Sequence, residues 1–432
     1  MMKTILAGLL MMLAFQPALA AVRLTPIYAN EASNWPLETF AANGLFRQIA
    51  RYQQGHPQAV VLNGGDYTLA SLSKQLGPSA LTATESGWTL HYPLVIGPGA
   101  SLTLSGDTLF IEGRHGGCLI NRGELLVEHS NLSSNGDNSS GFIHGWGGST
   151  TRIHNSSLKD MGRADYRANG LSVARHRYQG PGAPATLEIV DGQFSNLYRG
   201  LDAEPGSRIT IDGLTVEASR EQGLVFQDSP ASIQRLQVQH SAGHGVRAGG
   251  KAPFSLSDSE LTGNHGNGLL LEDHTGEVQV FAVTSRDNHE YGIQIKSLRD
   301  QQPTRLTQLT LTGNTSDGLR LDGSMHVTLD GADISRNQRY AIAVQAADGR
   351  KISADLKMLR LHRNGLAALQ TGGEGELLLQ GVSLRHDSNR GKYLAGNLAD
   401  READLLPPLL QGKEVIVQFT ETLPTIPLAS LR

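Results

Sequence analysis

From residue 199 onward the chain repeats one short phrase: a polar residue, a glycine, then an apolar–x–apolar triplet. It reads RGLDAE (199–204), QGLVFQ (222–227), HGVRAG (244–249), NGLLLE (267–272), YGIQIK (291–296), DGLRLD (317–322) and YAIAVQ (340–345). A degenerate copy starts at Gly365. The repeat positions 200, 223, 245, 268, 292, 318, 341 and 365 are separated by 23, 22, 23, 24, 26, 23 and 24 residues. A period of this size, sustained over eight units, is the signature of a solenoid.

Between the triplets lie alternating stretches such as RITIDGLTVEAS, FSLSDSELTGN and VTLDGADISRN. Alternation with period two, broken by Gly, Asn and Asp, predicts short strands joined by tight turns. Leucine-rich repeats share the length but need a helical segment, for which the alternation leaves no room. The expected fold is all-β, a right-handed parallel β-helix of about 10–12 coils with a repeat of roughly 22–26 residues, its coils stacked at ~4.8 Å. The pattern extends back through 169–197, 141–162 and 117–136 to first complete coils at 92–113. The steps from 141 to 170 and from 170 to 200 are longer, at 29 and 30 residues, and such insertions map to loops on one face. Residues 36–55 have helical spacing and are expected to cap the N-terminal end. The expected division is a signal peptide over 1–20, a cap and entry region over 21–90, the β-helix over 91–400 and a C-terminal cap over 401–432.

Alternation sends the apolar residues of each triplet inward and the others outward, and stacking sorts the outward ones into two columns. The first reads Ser172, Asp202, Val225, Arg247, Leu270, Gln294, Arg320, Ala343. The second reads Ala174, Glu204, Gln227, Gly249, Glu272, Lys296, Asp322, Gln345. The face carries acids and bases with no strong apolar patch. It suits an extended acidic polymer whose carboxylates would meet Arg247, Lys296 and Arg320. Mixed charges stacked in a column also satisfy one another without any ligand. Arg175, His176, Arg177 and Tyr178 concentrate donors and an aromatic ring where a coil is lengthened.

The formal net charge of −4 gives no nucleic-acid footprint. Lys3, the apolar run Ile5 to Phe15 and Ala18-Leu19-Ala20 read as a cleaved secretory signal, and no later stretch is apolar enough to insert in a membrane. Cys118 is the only cysteine, so an exported fold must hold without an internal disulfide. The fifteen histidines show no tight ligand spacing: His144 and His154 are ten apart, and His240 and His244 flank a turn. Neither a metal nor a cofactor is expected, and no phosphate loop, dinucleotide fingerprint or nucleophile elbow is present.

The blocks YPLVIGPGASLTLSG, CLINRGELLVEHSNL, GFIHGWGGSTTRIHNSSLKDMG, NGLSVARHRY and VDGQFSNLYRGLDAE occur in an order that resembles the periplasmic poly-mannuronate (alginate) C5-epimerases. The likeness covers about residues 90–300, and Trp146-Gly147-Gly148 is its most specific local match. The resemblance implies C5 chemistry on a uronate polymer: a cation neutralises the carboxylate, a base removes the C5 proton, and an acid returns one from the opposite face. The family's Asp-Pro-His-Asp motif falls on Val225, Phe226, Gln227 and Asp228, so the base position holds Gln227 and only Asp228 survives. The family's arginine falls near Gly250, with Arg247 close by as a substitute. Asp228, His244 and Arg247 are thus the expected catalytic residues. His144, Trp146, Arg175, His176, Tyr178, Asp202, Glu204, Gln227, Glu272, Lys296 and Arg320 are the expected substrate contacts, with His176, Tyr178 and Glu204 as further candidates for the base. The expected function is an epimerase-like isomerase in the periplasm, a monomer acting on an anionic polysaccharide. A uronate lyase, or a non-catalytic protein that binds and guides an exopolysaccharide beside export proteins, are the alternatives.

Overall fold

The computed structural model describes residues 22–26, 51–53, 57–175, 182–297, 302, 304–384 and 392–420. The expected signal, most of the helically spaced 36–55 segment, and His176 to Tyr178 lie outside the described residues. The chain winds as a right-handed β-solenoid of about 12 turns. Each turn gives a short strand to a 15-stranded sheet and a longer one, or two short ones in the early coils, to a 20-stranded sheet.

The repeat phrase builds the first sheet. Strand Leu224–Gln227 pairs in parallel with Val246–Gly250, Leu224 opposite Val246 and Val225 opposite Arg247. The inward pairs Leu224/Phe226, Val246/Ala248, Leu269/Leu271, Ile293/Ile295 and Leu319/Leu321 are all buried. Each buried Leu or Ile contributes about 1.5–3 kcal/mol relative to exposure. The glycine that opens the phrase has a steric cause. A Cβ on Gly223 would stand 2.2 Å from the carbonyl oxygen of Gly245, one coil on, and one on Gly200 would stand 2.5 Å from that of Gly223.

The second sheet is folded along its length. Strands of nine to twelve residues, such as Ser207–Glu217 and Lys351–His362, each contain one residue in the left-handed region. These residues stack as Asp191, Gly213, Arg235, Asp258, Ala282, Gln308, Gly331 and Met358, with φ of 48–79°. Each non-glycine member costs about 1–2 kcal/mol, which the flanking ladders absorb. The kink splits every long strand into two legs, so two sheets enclose a three-sided core.

A second turn column is stapled by buried asparagines. Asn264, Asn288, Asn314 and Asn337 each donate from Nδ2 to Oδ1 of the next coil's asparagine, ending on Asn364, at 2.9–3.0 Å. The same oxygens accept the backbone N–H groups of Asn264, Asn288, Asn314 and Asn337 at 3.1 Å. Buried amides are tolerable only when paired in this way. At the C-terminal end the helix Glu402–Leu410 buries Leu405 and Leu409, while Val415–Phe419 pairs antiparallel with Glu374–Gln380.

The first sheet's outer face changes character in the coils before Ser172, where the columns read from the sequence begin. Over the early coils that face is apolar and covered: Ala59, Val95, Cys118, Ile120, Phe142, Trp146 and Ala168 form a second buried cluster outside the solenoid core. Alternation sets which way a side chain points from its own strand. It says nothing about whether another segment lies over it.

Candidate functional site

The first outward column forms in the register read from the sequence, while the second is broken by an irregularity between Ala248 and Gly250. Ser172, Asp202, Val225, Arg247, Leu270, Gln294, Arg320 and Ala343 face one another coil by coil. Gln227 pairs with Gly249, and Glu272, Lys296, Asp322 and Gln345 continue the second column.

A loop between strands Ser157–Lys159 and Gly170–Ala174 lies on the N-terminal part of this face. The guanidinium of Arg163 sits between two rings, 4.9 Å from the centroid of Tyr52 and 5.1 Å from that of Phe142, and donates to the Ser140 carbonyl at 2.8 Å. Arg167, 5% exposed, lies 5.7 Å over Trp146 and 5.0 Å over Tyr166 and donates to Glu204 Oε2 at 2.7 and 3.0 Å. Such stacking suits a weakly hydrated guanidinium. Asn169 Nδ2 donates to Asp202 Oδ2 at 2.5 Å; Arg199 bonds Asp202 at 2.8 Å and also pairs with Glu221. Arg220 fixes the approach to this loop by donating to the carbonyls of Gly136, Met161 and Gly162.

His144 and Trp146, expected as substrate contacts, lie beneath this loop, 0% and 1% exposed. They do not line the open face. The Ser172 hydroxyl donates to the Arg167 carbonyl at 2.8 Å, so at 2.7 Å it accepts from His144 Nδ1–H. His144 Nε2 is then an unprotonated acceptor with no partner. Burial, with the Arg167 cation second, holds this imidazole well below its usual pKa.

Beyond Asp202 the face opens, and its edge is built by the polar residue that precedes each repeat glycine. Gln222 Oε1 accepts the backbone N–H of His244 at 3.0 Å, and His244 Nδ1 accepts that of Asn267 at 2.9 Å. Asn267 Oδ1 accepts from Tyr291 N, and Asp317 Oδ1 from Tyr340 N, each at 3.1 Å. The position thus calls for a side-chain acceptor, which Gln, His, Asn and Asp supply. For His244 the consequence is chemical. A backbone N–H can only donate, so Nδ1 is unprotonated and the neutral ring carries its proton on Nε2. Burial, assisted by Arg247 and opposed by Glu290, Glu272 and Glu221, lowers its pKa. The ring offers a hydrogen-bond donor.

The three cations expected to meet a polyanion already have partners. Arg247 donates to Glu272 at 2.7 Å, Lys296 stands 3.6 Å from the same carboxylate, and Arg320 donates to Asp322 at 2.7 Å. Against the upward push of burial, Arg247 and Lys296 hold the Glu272 carboxyl below its usual value. Gln294 links Asn267 to Asp322. Asp317, fully buried between Arg320 and Arg339, has its pKa raised by burial. Arg247 remains 43% exposed at the side chain and is free to share a second anion.

Gln227 is exposed at the end of its strand. Asp228 follows it at a corner with φ +48°, its Oδ1 accepting the Lys251 N–H at 2.8 Å, so its carboxylate turns the chain there. Arg175 is exposed at the edge of the covering loop, and His176 and Tyr178 lie outside the described residues. The structure therefore brings Glu204, Gln227, His244, Arg247, Glu272, Lys296 and Arg320 to one face. Asp202, expected as a substrate contact, is 4% exposed and held by Asn169 and Arg199, so it is buried with His144 and Trp146 under the loop. Asp228 is set apart at its corner. Sequence reasoning missed Arg167, Asn169, Arg199, Glu221 and Asn267. Arg199 and Asn267 had a signal, the polar residue before each repeat glycine; Arg167 and Asn169 act from a loop whose path no periodicity records.

The family described as periplasmic copper-binding protein (NosD) matches residues 188–354. Among the described residues no group of three or more His, Cys, Asp or Glu is placed to hold a metal ion. Cys118 lies outside that stretch, and burial pushes its thiol up to about 12, away from the thiolate that binds soft metals. Among the described residues, then, no such cluster is assembled for a copper ion. In sequence the chain is 21% identical over 417 residues to the mannuronan C5-epimerase AlgG of Azotobacter vinelandii, covering 87% of this chain and 78% of that protein. It is 21% identical over 313 residues to the mannuronan C5-epimerase of Pseudomonas putida, covering 68% of this chain but only 56% of that protein. The match to the Pseudomonas aeruginosa mannuronan C5-epimerase, 24% identical over 236 residues, spans 49% of this chain and 42% of that one. In three dimensions the crystal structure of the periplasmic alginate epimerase AlgG superposes with a TM-score of 0.66 at 16% identity, over 92% of this chain and 99% of that one. The chain is thus a right-handed parallel β-helix of the fold seen in AlgG, and it resembles the mannuronan C5-epimerases in sequence as in fold.

Proposed function

We propose that this chain is an exported, periplasmic protein that takes an acidic, uronate-type polysaccharide along the open outward face and acts on it in the manner of a C5-epimerase. The observation that carries the reading is the agreement of sequence and fold: the relatives just named act on mannuronan or alginate by name, and the open face stands in the same solenoid. Arg247 is the group suited to neutralise a substrate carboxylate, which acidifies the C5 proton. His244 Nε2–H is a neutral donor suited to hydrogen-bond a sugar oxygen, and the proton returned to C5 comes from another acid such as water. Removal of the C5 proton requires a lone pair within about 3 Å. Gln227 has no basic atom, and His244 Nδ1 is engaged by Asn267, so that step falls to another group. Cleavage of the leader before residue 21 and contacts with export proteins belong to the same reading.

The same two facts favour a second reading, a non-catalytic relative that binds and guides the polymer. Incubation with poly-mannuronate in deuterated water decides between them. Deuterium at C5 establishes the epimerase, unsaturated chain ends establish a lyase, and tight binding without either leaves the guiding role. Absence of binding to any acidic glycan overturns both.

A further inference from the structure

The outward face is closed at one end and open at the other. Five successive first-column positions, Val95, Ile120, His144, Ser172 and Asp202, are buried, the last three under the loop that carries Arg163, Arg167 and Asn169. From the next coil on, the polar members Arg247, Gln294, Arg320 and Gln370 are all partly exposed. Val225, Leu270 and Ala343 are themselves buried, Leu270 between Arg247 and Gln294 and Ala343 between Arg320 and Gln370. The open stretch from Val225 to Gln370 covers seven coils, about 29 Å at roughly 4.8 Å a coil.

The closed end is stiff. Arg167 is held by Glu204 and stacked on Trp146, Asp202 is held by Asn169 and Arg199, and Arg199 is tied to Glu221. Arg220 clamps the approaching chain at three carbonyls. What this wall shows the open face is a pair of acceptor carboxylates, Glu204 and Glu221. Each is about a quarter to a third exposed at the side chain. A polysaccharide continuing past this point would have to displace two buried, hydrogen-bonded guanidinium groups.

Resting on the proposed function, we propose that this protein recognises the end of its polysaccharide, not its interior: the terminal sugar abuts the wall and donates its end hydroxyl to Glu204 or Glu221. The chain then runs out along Arg247, Gln294 and Arg320 toward the C-terminal coils. A passage open at both ends would bind anywhere along a polymer and several times on a long one. A blind passage binds once per chain.

The test titrates the full chain with short and long mannuronate-rich fractions at equal uronate concentration. One protein bound per polysaccharide at every length is expected, so that binding per unit mass falls in proportion as chains lengthen. Several proteins per long chain overturn the inference while leaving the proposed function standing. No binding to any fraction overturns that function and this inference with it. Two end-modified fractions, one reduced at the reducing terminus and one unsaturated at the other, extend the test. Weakened binding of only one is expected and tells which end is held; equal binding of both contradicts a terminal contact. Glu204→Gln should weaken the short fraction about tenfold, the loss of one charge-assisted hydrogen bond. The stoichiometry of the unaltered chain stands even if that variant folds poorly.

Discussion

At the scale of single residues, the proposed proton transfer needs a free lone pair, and the hydrogen-bond donors restrict which groups offer one. His244 stands in the right neighbourhood for a base, with Glu221, Glu272 and Glu290 around it, yet Asn267 N–H occupies Nδ1 and fixes the proton on Nε2. Gln227 is exposed at the opposite end of the neighbouring strand, across from Gly249 on the second column. Gln227→His is therefore expected to raise deuterium incorporation at C5 of poly-mannuronate by at least about a hundredfold, the usual worth of a positioned general base. An unchanged rate would show that another group already removes the proton, or that the sugar is not held with C5 at that coil. Arg247→Ala is expected to weaken binding of the polymer about fivefold and to flatten its salt dependence, since a half-exposed charge is worth near 1 kcal/mol and is screened within about 8–10 Å. Affinity unchanged at low salt would reduce Arg247 to the structural partner of Glu272.

At the scale of the repeating element, the period and the register of the first outward column were legible because each coil solves the same problem, while the second column breaks at an irregularity between Ala248 and Gly250. The repeat glycine must pass the carbonyl of the next coil, the triplet must bury two apolar residues, and the turn must satisfy its own amides. What lay beyond reading was anything contributed from outside the coil. His144, Trp146 and Asp202 carry the same outward pattern as Arg247, but the Arg163–Asn169 loop lies on them, and no alternation encodes that. The acceptor role of His244 was equally hidden, because it depends on a donor 23 residues downstream meeting a particular ring nitrogen. The asparagine column shows how much a shared solution carries. The Asn314 amide accepts from the Asn288 backbone and side chain and donates to Ser285 O and Asn337 Oδ1. Asn314→Ala should cost about 3 kcal/mol or more, as several buried groups lose their partners at once. The urea midpoint measures it. A change below about 1 kcal/mol, the net worth of one ordinary hydrogen bond, would mean that water replaces the staple.

At the scale of the whole molecule, the buried imidazoles set how the solenoid answers to acid. His144, His244 and His274 all have their pKa lowered, with burial the first cause in each. The fold keeps them neutral, whereas the unfolded chain binds a proton on each below about pH 6.5, so unfolding takes up protons as acidity rises. Stability is thus full above that value and falls as pH drops toward the depressed folded values. Asp317 opposes this: burial raises its pKa, the fold holds its proton first, and acidification through that range stabilises. Three imidazoles against one carboxyl leave a net loss. A second loss follows below about pH 4, where Asp137, Asp212 and Glu272, all held low by hydrogen bonds or cations, must be protonated. His274 isolates the first step. It is buried edge-on against Phe254, 6.3 Å between ring centroids, with the Glu277 and Ala252 backbones near its ring but neither nitrogen in a well-formed hydrogen bond. Burial outweighs the pull of the Glu277 backbone and the Asp228 carboxylate on its proton. His274→Phe removes one proton from the linkage and two poorly bonded nitrogens from the corner without emptying it. The urea midpoint of this variant should exceed that of the unaltered chain at every pH, with the gap widening between about pH 7 and 5. A constant gap would show that His274 takes up its proton in the fold as readily as in the unfolded chain.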